Sequence, residues 1–379
     1  MLKRSCKAYP DYTSLHKKLD ELYGASVFSS VSKNGDAQVL TLYAECLDDR
    51  FSLDGKSIIS ETIDLLKDII FRPNVENESF GDDKLSLEKR LLTESIIEEQ
   101  NDKRAYAFKK CVEHMFNDEP FGINATGTCE TVKNAEMSQI YDAWKNMLSR
   151  AVIQITVVGN IDAGIVDDSF KEDFSDIDRN PYDLKTIFKP VAVESRRIEE
   201  TVAANQGKLV MGFRAGTENA NDNYYAVRVM TDIFGGGTHS NLFQNIREKM
   251  SLAYYCSAGF VSTKGFIAVQ SGIDTEKEGA VTQGVLEQLK DVADGKFEDS
   301  IIEASKRSLK EGFTFSSPDA ICKYYTSQLL DENIETPDEV IKKIEKVTKE
   351  DICKAAEKVS LDTVFMLVAD SEEVNADEN

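Results

Sequence analysis

The 379-residue chain carries a formal net charge of −22, and because this charge repels phosphate backbones, nucleic acid is not expected as a partner. A hydrophobic content of 41% and a charged content of 30% are typical of a soluble globular protein, and the length predicts two domains of about 180 residues. No apolar run is long enough to span a membrane and the N-terminus lacks a signal-type apolar stretch, which argues against a membrane role and against secretion.

The first half of the chain is predicted to begin with a helix and a hairpin. Leu15, Leu19 and Leu22 have the spacing of an amphipathic helix over Tyr12–Leu22. An Asn-Gly pair then favours a tight turn between two strands, because both turn positions tolerate positive φ. The remaining elements predicted for this half are the strands Val27–Val31 and Ala37–Tyr43, helices over Ile58–Ile70, Leu85–Val112 (one helix or a pair) and Glu136–Leu148, and a buried strand over Ala151–Val158.

A polar stretch from about Asp176 to Asn205 separates the two halves and is interpreted as a linker with flanking edges. The predicted division is residues 1–184, an incomplete N-terminal domain; 185–200, the linker; and 201–379, the C-terminal domain. The second half is predicted to contain strands over Lys208–Arg214 and Val364–Val368, a helix over Asp222–Phe234, and an acidic, frayed tail over Ser371–Asn379.

The second half repeats the first. The helix at Leu15 and the turn Ser32–Gly35 correspond to the helix at Leu242 and the turn Ser262–Gly265. A shared order of helix, hairpin, helix, helix and strand predicts two homologous domains. Each is expected to be an antiparallel-rich sheet packed with helices, an α+β fold of the α/β sandwich type. The first copy reaches the matching point at about Met1, so we expect its opening strand and part of its first helix, about thirty residues, to be absent.

The seven cysteines are odd in number and form no Cys-x-x-Cys pair: Cys6, Cys46, Cys111, Cys129, Cys256, Cys322 and Cys353. This pattern predicts free thiols in a reducing cytoplasm rather than a disulfide framework or a zinc knuckle.

The chain offers no residues with the spacing of a metal site. His16, His114 and His239 stand alone, whereas zinc needs several convergent ligands, so each is interpreted as a surface or core polar residue. The triple glycine Gly235–Gly237 lacks the Gly-Lys-Ser/Thr of a nucleotide loop and is predicted to end a helix. Its bare backbone could also let an extended peptide approach closely.

The most distinctive string runs from Asn241 to Cys256, with Leu-Phe, Arg-Glu and Leu-Ala-Tyr in succession after the triple glycine. It resembles a C-domain signature of the insulinase family of zinc metallopeptidases, which includes pitrilysin, insulysin and the mitochondrial processing peptidases. Three further segments are similar to that family: Ala151–Asp162, Phe297–Leu309 and Val347–Ile352. The resemblance implies two homologous domains of the LuxS/metallohydrolase-like type.

In that family an inverted zinc motif, His-x-x-Glu-His, lies on the first helix, ahead of a segment that Met1–Cys6 matches. The motif would fall at or before Met1, so no residue here is assigned a catalytic or metal-binding role. Counted from Glu88, the family's third ligand corresponds to Ser95, and serine is not a usual zinc ligand. Three nearby acidic residues remain as residual metal ligands if the register differs: Glu94, Glu98 and Glu99. The family's Gly-x-x-Asn-Ala-x-Thr cleft strand corresponds to Gly24–Ser30, which lacks Asn-Ala.

The resemblance assigns substrate binding to Arg247 and Tyr254, which match an Arg and Tyr pair that the family uses to hold substrate near its metal. Arg offers a fixed fork of donors and Tyr a directed hydroxyl, both suited to a peptide backbone. The alternative is structural, with Arg247 paired to Glu248 or Glu218 on the surface.

Three functions follow from the resemblance. The first is a non-catalytic subunit that binds peptide for a zinc-bearing homologue, in a heterodimer or a homodimer, with no cofactor of its own. The second is a zinc metalloendopeptidase whose His-x-x-Glu-His segment is missing from this chain. The third is a non-enzymatic assembly scaffold, which fold analogy alone cannot separate from the first.

Overall fold

The computed structural model describes residues 1–217, 223–331 and 333–370. Helices and strands alternate through the chain and confirm the predicted α+β class. The predicted tail Ser371–Asn379 lies outside the described residues. The α-helices described are α1 Tyr12–Glu21, α2 Ile58–Phe71, α3 Asp82–Glu98, α4 Lys103–Met115, α5 Cys129–Asn134, α6 Met137–Arg150, α7 Ala163–Ser175, α8 Tyr224–Gly235, α9 Glu278–Ala293, α10 Asp299–Glu311, α11 Pro318–Thr326, α12 Pro337–Lys346 and α13 Lys349–Glu357, with a π-helix over Leu242–Lys249.

The strands form two sheets in the described part of the chain. They are β1 Ser26–Asn34, β2 Ala37–Glu45, β3 Arg196–Ala203, β4 Gly207–Arg214, β5 Tyr255–Val261, β6 Phe266–Ile273 and β7 Ser360–Asp370. Strands β1 and β2 pair with each other, and the other five follow the order β3-β7-β4-β6-β5. Only β3 and β7 are parallel; the other pairs are antiparallel. Strands β3 and β5 are therefore the two edges of the larger sheet.

The larger sheet lies between two helical layers. Along β4, Leu209, Met211 and Phe213 belong to a core with α8, α9 and α13, whereas Val210 packs with Ala107 and Cys111 of α4. Successive side chains of a strand point to opposite faces, so this alternation places α4 on the second face. A helix from the first half of the chain thus completes the core of the second half.

The first half contains its own smaller core beneath the β1-β2 hairpin. Leu15, Leu19 and Leu22 are buried there together with Leu65 and Ile69 of α2, which confirms the helix predicted from their spacing. Helix α1 begins after Asp11, whose carboxylate accepts from the Ser14 amide at 2.8 Å, while the Ser14 side chain caps Asp11 in return. Such a capping box satisfies two amides that a helix start leaves free.

The hairpin itself is confirmed, but its turn is shifted by one residue. Asn34 pairs with Ala37 in the ladder, so the two-residue loop is Gly35-Asp36 rather than Asn34-Gly35. Gly35 takes the positive φ, at 53°. The shift leaves the Asn34 side chain free to donate to the backbone carbonyl of Ser327 at 3.1 Å.

The prediction of a buried strand over Ala151–Val158 is wrong. The segment has no ladder partner among the described strands, and its apolar side chains are 38–44% exposed at Val152, Ile153, Ile155 and Val157. In the second half the corresponding strand, β7, lies between β3 and β4. A strand needs partners for its backbone donors and acceptors, and no described strand occupies the place of β4 beside Ala151–Val158.

All seven cysteines are free thiols in the structure, in agreement with the prediction. Burial raises the pKa of both Cys111 and Cys256 to about 12. Separately, no helix in the described part of the chain has the length and apolar character needed to cross a membrane.

The buried thiols predict a loss of stability at alkaline pH. Above about pH 9 thiols of the unfolded chain ionise while Cys111 stays protonated in the folded chain, so the unfolded state gains about 1.4 kcal/mol per pH unit for that thiol. Below that pH both states are protonated and the contribution is constant. Urea unfolding at about pH 8 and pH 10 should therefore show a smaller pH-dependent loss for Cys111→Ala than for the unmodified chain. Equal losses would contradict the assignment.

Candidate functional site

The distinctive segment of the sequence forms a π-helix. Leu242 and Ile246 are fully buried and anchor one face of the helix against the core of the second half. Arg247, on the other face, keeps 41% of its side chain exposed. π-helical turns are rare and occur frequently at functional sites.

The structure brings Arg247 and Tyr254 together. The Arg247 Nε donates to the backbone carbonyl of Tyr254 at 3.0 Å, and its guanidinium lies 4.6 Å from the ring centre of Phe243. A tight turn makes this contact, since Ser251 has a φ of 50° and the Leu252 amide donates back to Ile246 at 3.0 Å. The two residues therefore form one surface unit at the start of β5.

Within the described residues, the side-chain partners of Arg247 and Tyr254 are exposed carboxylates. Arg247 Nη1 lies 3.4 Å from Glu248 Oε1, and both side chains are about half exposed; Glu218, the other partner considered, lies outside the described residues. The Tyr254 hydroxyl donates to Asp274 Oδ1 at 3.1 Å, and Tyr254 is 61% exposed. Hydrogen bonds from Lys277, which has the larger effect, and from the Tyr254 hydroxyl lower the pKa of Asp274.

A cavity of about 840 Å³, which we call the aromatic cavity, opens beside β5. Its walls come from α8, β5, the end of α10, α11 and residues 327–331 and 333–343. The aromatic residues lining it are Tyr224, Tyr225, Phe260, Phe313, Phe315 and Tyr324. No motif in the sequence predicted this cavity. The neighbouring aromatic residues Tyr224-Tyr225 and Phe313/Phe315 were the signals in the sequence that could have indicated it.

The triple glycine serves packing inside the chain. A Cβ on Gly235 would lie 2.5 Å from the Ala258 amide nitrogen, one on Gly236 would lie 2.4 Å from Asp232 Oδ2, and one on Gly237 would lie 3.1 Å from the His239 ring. The directions in which side chains would extend from these glycines are already occupied by atoms of the chain, which supports the structural interpretation. Gly236 ends α8 with a φ of −80°, so the left-handed conformation is not what requires glycine.

The three histidines have structural contacts, as predicted. His239 Nε2 lies 2.8 Å from both Asp232 Oδ1 and Ser305 Oγ. His16 packs on the Tyr12 ring, with the centroids 4.0 Å apart, and His114 stacks on Phe365. No group of three potential metal-binding side chains occurs in the residues that the structure describes.

Three of the acidic residues around Ser95 lie beside cations, whereas Glu98 is exposed. Glu88, from which the family spacing is counted, is bound to Arg4 and lies 3.6 Å from the Met1 amino group. Glu94 lies 3.7 Å from Arg90, and Glu99 is bound to Lys109. Each of these carboxylates has a cation of its own, and Ser95 is an exposed hydroxyl on α3, which is not a usual zinc ligand.

Comparisons with known proteins find similarity to M16 peptidases. The family model described as "Peptidase M16 inactive domain" matches residues 134–309. Over 370 residues the chain is 28% identical to "Probable inactive metalloprotease YmfF" of Bacillus subtilis (strain 168), covering 97% of this chain and 87% of that protein. A conserved protein from Enterococcus faecalis V583 has a crystal structure with a TM-score of 0.89 and 27% identity, covering 98% of this chain and 88% of that one. Over most of its length the chain is therefore similar to M16 peptidases and their inactive homologues.

This similarity to M16 peptidases confirms the insulinase-family resemblance drawn from the segment Asn241–Cys256. The M16 fold is further supported by a peptidase M16 inactive domain from Pseudomonas fluorescens, with a TM-score of 0.78 at 15% identity, over 98% of this chain and 87% of that one. The descriptions of the M16 family model and of the Bacillus subtilis relative both contain the word inactive. They agree with the prediction that this chain is not catalytic by itself.

Proposed function

We propose that this chain is the non-catalytic subunit of an M16 peptidase and binds peptide substrate for a zinc-bearing homologue, with which it forms a heterodimer. The observation that supports the proposal most directly is the contact between Arg247 and Tyr254 at the start of the edge strand β5. Two side chains that can bind a peptide backbone are thereby fixed relative to each other on an accessible surface.

The Arg247 guanidinium can accept a new partner at low cost. Its Nε is bound to the Tyr254 carbonyl, while its Nη1 is 3.4 Å from the exposed carboxylate of Glu248. Exposed ion pairs contribute about 0–1 kcal/mol, whereas a hydrogen bond to a charged group contributes about 1.5–3 kcal/mol. A peptide carbonyl or carboxylate can thus replace Glu248 with a net gain.

The edge strand supplies the rest of the binding surface. Within the described sheet, β5 pairs only with β6, so its other edge can accept an extended peptide. Backbone hydrogen bonds at such an edge give affinity with little demand on sequence. Arg247 and Tyr254 would hold the peptide near one end of this strand.

The proposal assigns zinc and catalysis to the partner, because Ser95 occupies the position of the family's third ligand. It places the complex in the cytoplasm, where the seven free thiols would remain reduced. The description of the Bacillus subtilis relative as a probable inactive metalloprotease supports the same role.

The proposal predicts that this chain raises the peptidase activity of a zinc-bearing M16 homologue. The purified chain is titrated into the homologue, and cleavage of a fluorogenic peptide is followed. Arg247→Ala should reduce the increase in activity about tenfold or more, because a charged hydrogen bond to substrate is lost. Tyr254→Phe should reduce it by a smaller factor, since only the hydroxyl is removed.

Two matched variants serve as controls. Arg307→Ala removes an exposed arginine on α10, and Tyr12→Phe removes an exposed hydroxyl. Both positions are away from Arg247 and Tyr254. Both should leave the increase unchanged. A chain that gives no increase, or an increase insensitive to Arg247→Ala, would reject the proposal and favour an assembly scaffold.

A further inference from the structure

The aromatic cavity has the properties of a ligand site that the Arg247 unit does not use. Its volume of about 840 Å³ lies within the range of about 300–1,000 Å³ that is usual for ligand pockets. Such pockets combine apolar walls with a few placed polar groups. The three carboxylates of the lining do not leave it with a free negative charge: Glu335 is bound to Lys343, Asp232 lies 2.8 Å from His239 Nε2, and burial raises the pKa of Asp331. The remaining polar groups of this cavity indicate the chemistry of its ligand.

Arg228 is the cation that the cavity leaves available. Its Nη1 donates to the Tyr224 hydroxyl at 2.8 Å, and its guanidinium lies 4.9 Å from the ring centre of Phe313. In the described part of the chain it forms no ion pair. The two lysines of the lining are already paired: Lys323 lies 2.7 Å from Asp319 and Lys343 is bound to Glu335.

The position of the guanidinium suits a carboxylate. Stacking on Phe313 and the bond to Tyr224 fix the plane of the group while leaving its other N–H donors unused. A fixed guanidinium binds carboxylates through two parallel hydrogen bonds. Because the group is half-buried, such bonds are less weakened by solvent than those of an exposed arginine.

The cavity wall opposite α8 is held in place by its own hydrogen bonds. Gln328 Oε1 accepts from the Glu335 amide at 2.7 Å, and the Tyr324 hydroxyl donates to the Glu335 carbonyl at 2.7 Å. The Tyr225 hydroxyl is bound to the Glu335 carboxylate. The wall is thus pre-organised, which reduces the entropy cost of binding.

The edge strand forms one side of the same cavity. Ala258, Gly259 and Phe260 of β5 line it, and a side chain built on Gly259 would meet no atom within 4 Å. Tyr224 packs on Phe260, with ring centres 6.1 Å apart, so Arg228 lies near this end of β5. A strand added to the β5 edge would bring its end to Arg228.

We propose that the aromatic cavity binds the C-terminal residue of an extended peptide. The peptide backbone pairs with β5, its last side chain, which is apolar, lies among the aromatic rings, and its α-carboxylate binds Arg228. A C-terminal residue fits this site because it is the residue of a peptide whose α-carboxylate and side chain are attached to the same Cα. This inference rests on the proposed function in that the chain binds peptide, and it specifies which end of the peptide is bound.

The experiment uses the intact chain and a labelled peptide. A fluorescein-labelled peptide of about six residues, uncharged apart from its C-terminus and ending in phenylalanine, is titrated in fluorescence anisotropy as the free acid and as the C-terminal amide. The free acid should bind about tenfold or more tightly than the amide, since a charged hydrogen bond is lost with the carboxylate. Equal affinities, or tighter binding of an amide that carries an internal glutamate, would overturn the inference.

Two variants locate the carboxylate. Arg228→Gln should abolish the preference for the free acid, and Arg228→Lys should keep part of it because the charge remains without the planar fork. Arg307→Gln, on an exposed arginine, should behave like the unmodified chain. Because the acid and amide are compared on the unmodified chain, the test holds even if an Arg228 variant is unstable.

The two proposals fail in different ways. If Arg247→Ala abolishes the increase in partner activity while the acid and amide peptides bind equally, the cavity inference is wrong and the proposed function stands. If the acid binds tightly through Arg228 but the chain never raises a partner's activity, the C-terminal site stands and the role as a subunit is wrong.

Discussion

Replacing Lys264 by methionine is expected to lower the free energy of unfolding by about 3–5 kcal/mol. The Lys264 side chain is fully buried, and its ammonium lies 2.7 Å from Asp36 Oδ1 and 2.7 Å from Glu119 Oε2. Methionine would remove the cation paired with the buried Asp36 carboxylate, and Glu119 would keep only its longer contacts to Lys189 and Arg214. Urea unfolding of the intact chain measures the loss.

The position of Lys264 explains why the effect should spread through the molecule. Lys264 belongs to the turn between β5 and β6, and Asp36 to the turn between β1 and β2, so the ion pair joins the two halves of the chain. Glu119 also lies 3.3 Å from Arg214, which donates from Nε to Asp362 at 2.8 Å. Loss of Lys264 should therefore loosen the halves together, with a single unfolding transition shifted to lower urea.

An exposed ion pair is the appropriate control for this prediction. Lys171 lies 2.7 Å from Asp167, with both side chains more than 60% exposed, and Lys171→Met should cost no more than about 1 kcal/mol. The double variant Lys264→Met with Asp36→Asn should be more stable than Lys264→Met alone, because the carboxylate that lost its cation is removed. A single variant as stable as Lys171→Met would show that the buried cluster does not hold the halves together.

Most of the helices and strands were predicted correctly because the spacing of apolar residues within each segment determines them. The spacing of Leu15, Leu19 and Leu22 places three side chains on one face of a helix, and the structure buries all three. The range predicted as one helix or a pair, Leu85–Val112, is covered by α3 and α4, which extend three residues beyond it at each end. The prediction of a strand over Ala151–Val158 was wrong because the pattern of apolar residues indicates which face of a strand would be buried, but not whether a partner strand is present.

Only the part of the candidate site that lies within a recognisable sequence motif could be predicted. Arg247 and Tyr254 lie seven residues apart within one motif, and a turn brings them into contact. Lys264 and Asp36 are 228 residues apart, and a charged residue in a turn is normally expected to be exposed. The repeat matched Ser262–Gly265 to Ser32–Gly35, but it carried no information that the two turns meet in space.

Replacing Gly235 by valine is expected to cost about 3 kcal/mol or more. A Cβ at this position would lie 2.5 Å from the Ala258 amide nitrogen, 2.6 Å from the Ala258 Cβ and 2.9 Å from Leu242 Cδ1. Two of these atoms cannot rotate away, since they belong to the backbone or are attached directly to it. Helix α8 and strand β5 would have to separate, which disturbs the core that they share.

The same substitution at Gly279 is the matched control. Gly279 lies in the first turn of α9, where an added Cβ meets no atom within 4 Å, and valine there should change the unfolding free energy by less than about 0.5 kcal/mol. Thermal unfolding of both variants gives the comparison. If Gly235→Val melts at the same temperature as Gly279→Val, the close contact between α8 and β5 is not required. Because Ala258 takes part in this contact and also lines the aromatic cavity, Gly235→Val should also weaken binding of the acid-terminated peptide, whereas Gly279→Val should not.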